Sequence, residues 1–183
     1  KGLYNEPYSI VKVVDRDGRV LESHDSVSRR VVDEQNAYLV THMLQGVLEP
    51  GGTGAALKVS GLAAAGKTGT TDERRDAWFV GYTPNTCCAV WVGYDQNRNA
   101  NLTGSVAAGP IWKGFMQGSV SKVAAGDFSR PDGITVVNVD LDTGLIATEA
   151  CPRTAPMAFR FGTEPQDVCY AHSPWSGFWE SWW

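Results

Sequence analysis

Two strand-prone runs joined by a very short turn place the tightest limit on the fold. Ala77-Trp78-Phe79-Val80-Gly81-Tyr82 leads through Thr83-Pro84-Asn85 into Cys88-Ala89-Val90-Trp91-Val92-Gly93-Tyr94. Branched and aromatic side chains suit a pleated, half-buried surface, and so short a connection joins antiparallel neighbours. Residues 62–71, rich in small side chains, are compatible with a further extended strand, and the charged turn Asp72-Glu73-Arg74-Arg75 separates them from Ala77. The sequence therefore predicts a meander of three successive antiparallel strands.

Elements of other kinds flank the meander. Residues 8–14 and 19–21 are β-prone and enclose Asp15-Arg16-Asp17-Gly18, which predicts a hairpin. From Asp33, Ala37, Val40, Met43, Leu44, Val47 and Leu48 recur at helical steps until Glu49-Pro50-Gly51-Gly52 ends the run. A second helix is predicted over residues 107–116, with Pro110 in its first turn and Ile111 and Phe115 on one face. The less regular remainder contains one more expected hairpin, 136–139 with 145–147, around Asp142-Thr143-Gly144. The fold class is α+β, an antiparallel sheet with flanking helices, and no internal repeat is visible.

Composition removes several functions. The 183 residues carry a net charge of −4, so the broad basic face that drives phosphate-backbone binding is missing, and nucleic acid is a poor partner. No run approaches the roughly 18 apolar residues of a membrane span. The start, Lys1-Gly2-Leu3-Tyr4-Asn5, has neither an initiator Met nor the apolar centre of a signal peptide, so the chain reads as an excerpt from a longer protein. Four cysteines are present. Cys87 and Cys88 fall in a strand-prone run and read as small packing residues, whereas Cys151 and Cys169 flank a Pro-containing loop-like segment and are the better disulfide candidates. There is no Cys-x-x-Cys spacing and the three histidines are scattered, which argues against a metal site; no cofactor is expected.

One tripeptide carries catalytic promise: Lys67-Thr68-Gly69, followed by Thr70-Thr71. Chance supplies Lys-[Ser/Thr]-Gly on the order of 0.1 times in a chain of this makeup, so its surroundings decide its weight. Those surroundings, Ala65-Gly66-Lys67-Thr68-Gly69-Thr70-Thr71 and then Asp76-Ala77-Trp78-Phe79-Val80-Gly81-Tyr82-Thr83-Pro84, strongly resemble the transpeptidase module of class A penicillin-binding proteins. Ala89-Val90-Trp91-Val92-Gly93-Tyr94-Asp95, Leu102-Thr103-Gly104, Gly109-Pro110-Ile111-Trp112 and Phe115-Met116 look like the downstream blocks of that family in the same order. Pro7-Tyr8-Ser9-Ile10 with Val14-Asp15 and Gly18 looks like its block before the long helix. The resemblance covers about residues 2–117 and extends more loosely through Cys151-Pro152.

The resemblance implies part of the penicillin-binding and serine β-lactamase-like fold, incomplete in this chain. It implies 1–125 as the carboxyl-terminal portion of a transpeptidase domain, with 126–183 as an extension. It also implies an extracytoplasmic setting, anchored through an amino-terminal segment absent here, with peptidoglycan stem peptides and β-lactams as ligands. In this family a serine attacks the carbonyl before a terminal D-Ala and passes the acyl group to an amine of a second stem peptide. Lys67 would attract the substrate carboxylate, Thr68 and Thr70 would hydrogen-bond it, Gly69 would admit the substrate backbone, and the Thr70 N–H would be an oxyanion donor, a contribution of about 3 kcal/mol. A serine β-lactamase shares the Lys-Thr-Gly strand, but the aromatic blocks after Thr71 favour the transpeptidase. A non-catalytic module that binds cell wall or a partner is the alternative from another class.

The family also needs Ser-x-x-Lys at a helix start and Ser-x-Asn, both before the Lys-Thr-Gly strand. Ser-x-Asn is absent, and the two Ser-x-x-Lys strings, Ser9 to Lys12 and Ser119 to Lys122, read as decoys because one lies in a β-prone run and the other at a helix end. No nucleophile is assigned in this chain, and an upstream part of the same protein would carry both motifs. Asp72 and Glu73 read as a solvated turn and Asp76 as a residue that orders it. At the carboxyl end Trp175, Phe178, Trp179, Trp182 and Trp183 fall on one helical face, which could pack on its own domain, dock on a partner, lie at a membrane interface or stack on sugar rings.

Overall fold

Asp33 opens the first helix. In the computed structural model, which describes residues 1–96, 98–119 and 126–172, its carboxylate accepts hydrogen bonds from the backbone N–H groups of Gln35 (2.8 Å) and Asn36 (3.0 Å), two of the donors a helix start leaves unpaired. Helix α1 runs Glu34–Gly46. Its predicted apolar stripe is only partly covered: Leu48, just past the helix, is buried, Ala37, Leu44 and Val47 are half-buried, and Val40 and Met43 are exposed. Before it come four short strands, β1 Leu3–Asn5, β2 Lys12–Val14, β3 Val20–Ser23 and β4 Ser28–Arg30. The expected hairpin is β2 against β3, and β1 pairs with β4 outside it.

The meander forms as predicted, with β5 Ala65–Thr70, β6 Ala77–Tyr82 and β7 Cys87–Val92 antiparallel in the order β5-β6-β7. Alternation along β6 sorts its side chains: Ala77, Phe79 and Gly81 are buried and Trp78 and Val80 exposed. Helix α2, Ala108–Ser119, packs on the buried face. Trp112 is fully buried there, its ring centroid 4.9 Å from that of Phe79, and its indole N–H donates to the carbonyl of Gly81 at 3.1 Å. Leu48, Leu57, Val59, Ala108 and Met116 complete this core, with Cys88, Val90 and Val92 packed against it.

Several expectations need correction. Ile111 and Phe115 do share a face of α2, but it is the outer one, because Ala108, Trp112 and Met116 take the inner. Cys88 packs against the core, whereas Cys87, one pleat away, is exposed. The strands do not form one sheet: the described residues hold three two-stranded sheets besides the meander. The last of these is β8 Ile134–Asp140 with β9 Thr154–Arg160, a seven-residue antiparallel register. The turn at Asp142-Thr143-Gly144 is present, and 145–147 returns along one edge of β8 through a single bridge, Ile146 to Val139, with Asp140 N–H on the Leu145 carbonyl and Ala147 N–H on the Asn138 carbonyl (2.9 Å each), while β9 takes the longer ladder on the opposite edge. Arg160 in β9 reaches back to Asp33 (3.1 Å) and Asn36 (3.0 Å), tying this hairpin to the start of α1. The aromatic run from Trp175 to Trp183 lies outside the described residues.

Candidate active site

Strand β5 sits at the edge of its sheet, and this decides what Lys67-Thr68-Gly69-Thr70 can do. In an antiparallel ladder, residues whose N–H and C=O face the partner alternate with residues whose groups face away. Thr71 N–H bonds to the Asp76 carbonyl at 3.1 Å, so with the register Thr70↔Ala77 the alternate residues Thr68 and Thr70 present their backbone N–H to the free edge. The Lys67 ammonium donates to the carbonyl of Thr68 at 2.8 Å, which draws it to the same edge. A cation and two outward N–H groups thus line one side of the strand, an arrangement suited to a carboxylate and a developing oxyanion.

The two threonine hydroxyls share a face, as their spacing requires. They do not stand equally free. The Thr70 Oγ1 accepts from Gly104 N–H at 3.2 Å, while the Thr68 Oγ1 lies 3.3 Å from that of Thr53. Gly104 is required where it sits, since a Cβ there would lie 2.1 Å from the Trp78 carbonyl oxygen and 2.7 Å from that of Gly69. The loop carrying Leu102-Thr103-Gly104 therefore lies directly on the β5–β6 ladder. Sequence spacing could not give this contact between residues 34 apart. Asp76 orders its turn as expected, accepting from the Trp91 indole N–H (2.9 Å) and from the Thr71 hydroxyl (3.2 Å).

Among the described residues, neither Ser9 nor Ser119 stands at the start of a helix. Ser9 lies in a bend before β2, which places it outside a strand, and Ser119 is the last residue of α2. A groove of about 820 Å³ lies elsewhere, between α1 and residues 126–132, lined by Tyr38, Thr41, Tyr82, Phe128 and Arg130 among others and by none of Lys67, Thr68, Gly69 or Thr70. The Lys-Thr-Gly strand is an open edge.

Cys151 and Cys169 are brought together, but as free cysteines and not as the expected disulfide. Each sulphur has other partners: the Cys169 thiol donates to Asp140 Oδ2 at 3.1 Å, and Cys151 Sγ accepts from the Thr148 N–H at 3.3 Å. His172 Nδ1 joins them, 3.1 Å from Asp140 Oδ2 and 3.4 Å from Cys169 Sγ, so the scattering of histidines in sequence does not hold in space. Burial works to raise the Asp140 carboxyl, yet hydrogen bonds from Thr143, Cys169 and the Asp142 N–H, with the neighbouring His172, outweigh it and bring it down to about 2.

The chain is similar to known proteins over most of its length. The family model of the penicillin binding protein transpeptidase domain matches residues 1–117, and that of the penicillin-binding protein 1A C-terminal domain matches residues 130–174. Penicillin-binding protein 1A of Aquifex aeolicus is 37% identical over 166 residues, 90% of this chain and 23% of that protein. Penicillin-binding protein 2D of Bacillus subtilis is 31% identical over 177 residues, 92% of this chain and 25% of that protein. The crystal structure of penicillin-binding protein 1A from Haemophilus influenzae superposes with a TM-score of 0.76 at 26% identity, covering 91% of this chain and 31% of that one. The chain spans about a quarter of the length of these curated relatives. With the transpeptidase model matched across the meander, its edge strand and both helices, the chain belongs to the penicillin-binding protein transpeptidase family and carries the carboxyl-terminal part of that domain.

Proposed function

We propose that this chain supplies the Lys-Thr-Gly wall of the cleft in a serine-type peptidoglycan D,D-transpeptidase that works outside the cytoplasmic membrane. The observation that carries this reading is the free edge of β5, with the Lys67 ammonium and the outward N–H of Thr70 on one side. Lys67 attracts the terminal carboxylate of a stem peptide or a β-lactam, and Thr68 and Thr70 hydroxyls hold it. Gly69 lets the substrate backbone lie against the strand as an added chain, and Thr70 N–H stabilises the oxyanion. The attacking serine Oγ comes from Ser-x-x-Lys in an upstream part of the same protein, with its Ser-x-Asn. In acylation the serine bonds to the carbonyl carbon and D-Ala leaves with the proton. An amine of a second stem peptide then takes the acyl group, and its proton restores the serine hydroxyl. Residues 1–125 serve this chemistry, and 126–183 form an extension to it.

Fluorescent penicillin followed by denaturing electrophoresis and intact mass tests the proposal. The 183-residue chain alone stays unlabelled, and the parent protein takes one label per molecule, with labelling strongly slowed in Lys67→Ala. A stoichiometric adduct on the isolated chain, lost on Ser9→Ala or Ser119→Ala, would overturn the assignment of the nucleophile. A folded parent that never labels would favour a non-catalytic wall-binding module.

A further inference from the structure

We propose that Asp140, Cys151, Cys169 and His172 form a binding site for a zinc-like divalent cation, which staples the carboxyl-terminal hairpin and the segments around it. The proposal does not rest on the transpeptidase reading, because its four residues all lie beyond residue 117, where the match to the transpeptidase family ends.

The backbone builds the site from three stretches of chain. Asp140 ends β8, Cys151 precedes β9 and Cys169 and His172 follow it. Ile146 holds the stretches in register: its N–H bonds to the Asp167 carbonyl (2.9 Å), and its carbonyl accepts from the Cys169 N–H (2.8 Å). The bridges of Ile146 to Val139 on one side and Val168 on the other make it the centre of a small local weave.

The four donor atoms, two sulphurs, one imidazole nitrogen and one carboxylate oxygen, all lie within 4.8 Å of one another. Metal–ligand bonds of about 2.0–2.3 Å imply tetrahedral donor–donor edges of roughly 3.3–3.8 Å. The separations of 3.1 Å for Asp140 to both Cys169 and His172, and 3.4 Å for Cys169 to His172, fall at this scale, so closure around an ion needs only small side-chain shifts. Two thiolates with an imidazole and a carboxylate are a borderline-soft set, which selects zinc over calcium or magnesium. Binding releases the two thiol protons to solvent and leaves one excess negative charge on the cluster.

The shell around the donors is also built. Thr143 hydroxyl donates to Asp140 Oδ2 at 2.7 Å, which aims the carboxylate, and both the N–H and the hydroxyl of Thr148 lie 3.3 Å from Cys151 Sγ, where they can steady a thiolate. Asp140 has no exposed surface and Cys169 is 3% exposed, whereas the apolar residues of 126–172 that are buried are few, Ile134 and Val139. A lobe whose most buried side chain is a carboxylate has little apolar burial to hold it together, and a metal supplies what the core does not.

The test uses the full chain purified without chelators under a phosphine reductant. Expected is one zinc per chain by elemental analysis. After zinc removal, cobalt(II) gives one equivalent of tetrahedral ligand-field absorption with a thiolate charge-transfer band in the near ultraviolet. Zinc protects two of the four thiols from modification and raises the melting temperature. Cys151→Ser and His172→Ala each weaken zinc binding by at least about 100-fold. Cys87→Ser, outside the cluster, leaves the cobalt spectrum unchanged. Since a ligand variant could fail to fold, the cobalt titration of the unaltered chain stands by itself. Absence of thiolate–cobalt absorption, or a Cys151–Cys169 disulfide in chain isolated without reductant, would overturn the proposal.

Discussion

Gly81 and Trp112 share one space, and a double-mutant cycle can measure how tightly. A Cβ on Gly81 would stand 2.6 Å from Trp112 Cε2 and Cζ2 and 2.8 Å from Nε1. Carbon atoms rest at about 3.5–4.0 Å, so Gly81→Ala forces the indole, fully buried against Phe79, to move by roughly 1 Å. Overpacking of this kind costs about 1–3 kcal/mol, and displacement of the ring breaks the indole hydrogen bond to the Gly81 carbonyl, a further loss of about 1 kcal/mol. Gly81→Ala should therefore destabilise by about 2–4 kcal/mol. Trp112→Leu, which removes the ring but keeps part of the apolar volume, should cost about 3 kcal/mol. In the double variant the methyl enters space the indole has left, so the combined loss should fall at least about 1.5 kcal/mol short of the sum. Urea unfolding of the full chain, followed by circular dichroism so that removing a tryptophan does not alter the probe, gives all four free energies. Losses that add to within about 0.5 kcal/mol would refute the shared-space explanation of why β6 has glycine opposite α2.

Further outcomes follow from the same structure. In the parent protein, Thr70→Pro deletes an N–H that faces the free edge and spares the ladder, so penicillin acylation should fall by about 10²–10³ with the fold retained. Thr70→Ala, which keeps the N–H, should lose much less, and equal losses in stopped-flow acylation would remove the oxyanion role. Gly104→Ala should drive its loop off the Gly69–Trp78 pair and slow acylation while lowering the melting temperature; unchanged values in both assays would refute this. The Asp33 carboxyl is held below its ordinary 3.8, first by the Asn36 N–H and then, against burial, by the Gln35 N–H, Arg160 and Arg30. Its folded value lies below its unfolded one, so its contribution is full above the unfolded value and disappears as pH falls through the folded value. The stability gap between the wild type and Asp33→Asn, read from denaturant titrations, should accordingly narrow below about pH 4; a gap independent of pH would refute the shift.

The sequence by itself determined the local elements wherever a pattern and its punctuation agreed. Asp33 before an apolar 3.6-residue period starts α1, and two strand-prone runs across Thr83-Pro84-Asn85 have no choice but to pair. The Lys-Thr-Gly run was legible as a strand for the same reason, since a two-residue period already assigns neighbouring side chains to opposite faces. Everything that depends on which distant segment arrives was decided by the tertiary structure. That β5 is an edge strand follows from the sheet order, and only the edge gives the Thr70 N–H a free direction. The inner face of α2 went to Trp112 over Ile111 and Phe115 because the Gly81 position leaves room for an indole and its carbonyl accepts the indole N–H. The expected return 145–147 gives β8 only one bridge, at Ile146, and the opposite edge of β8 found a seven-residue ladder with β9, whose first residue, Thr154, stands 14 positions beyond Asp140. Cys151, Cys169 and His172 meet Asp140 for the same reason. Sequence spacing records distance along the chain, while the β8–β9 register and the bridges at Ile146 bring together side chains up to 32 positions apart.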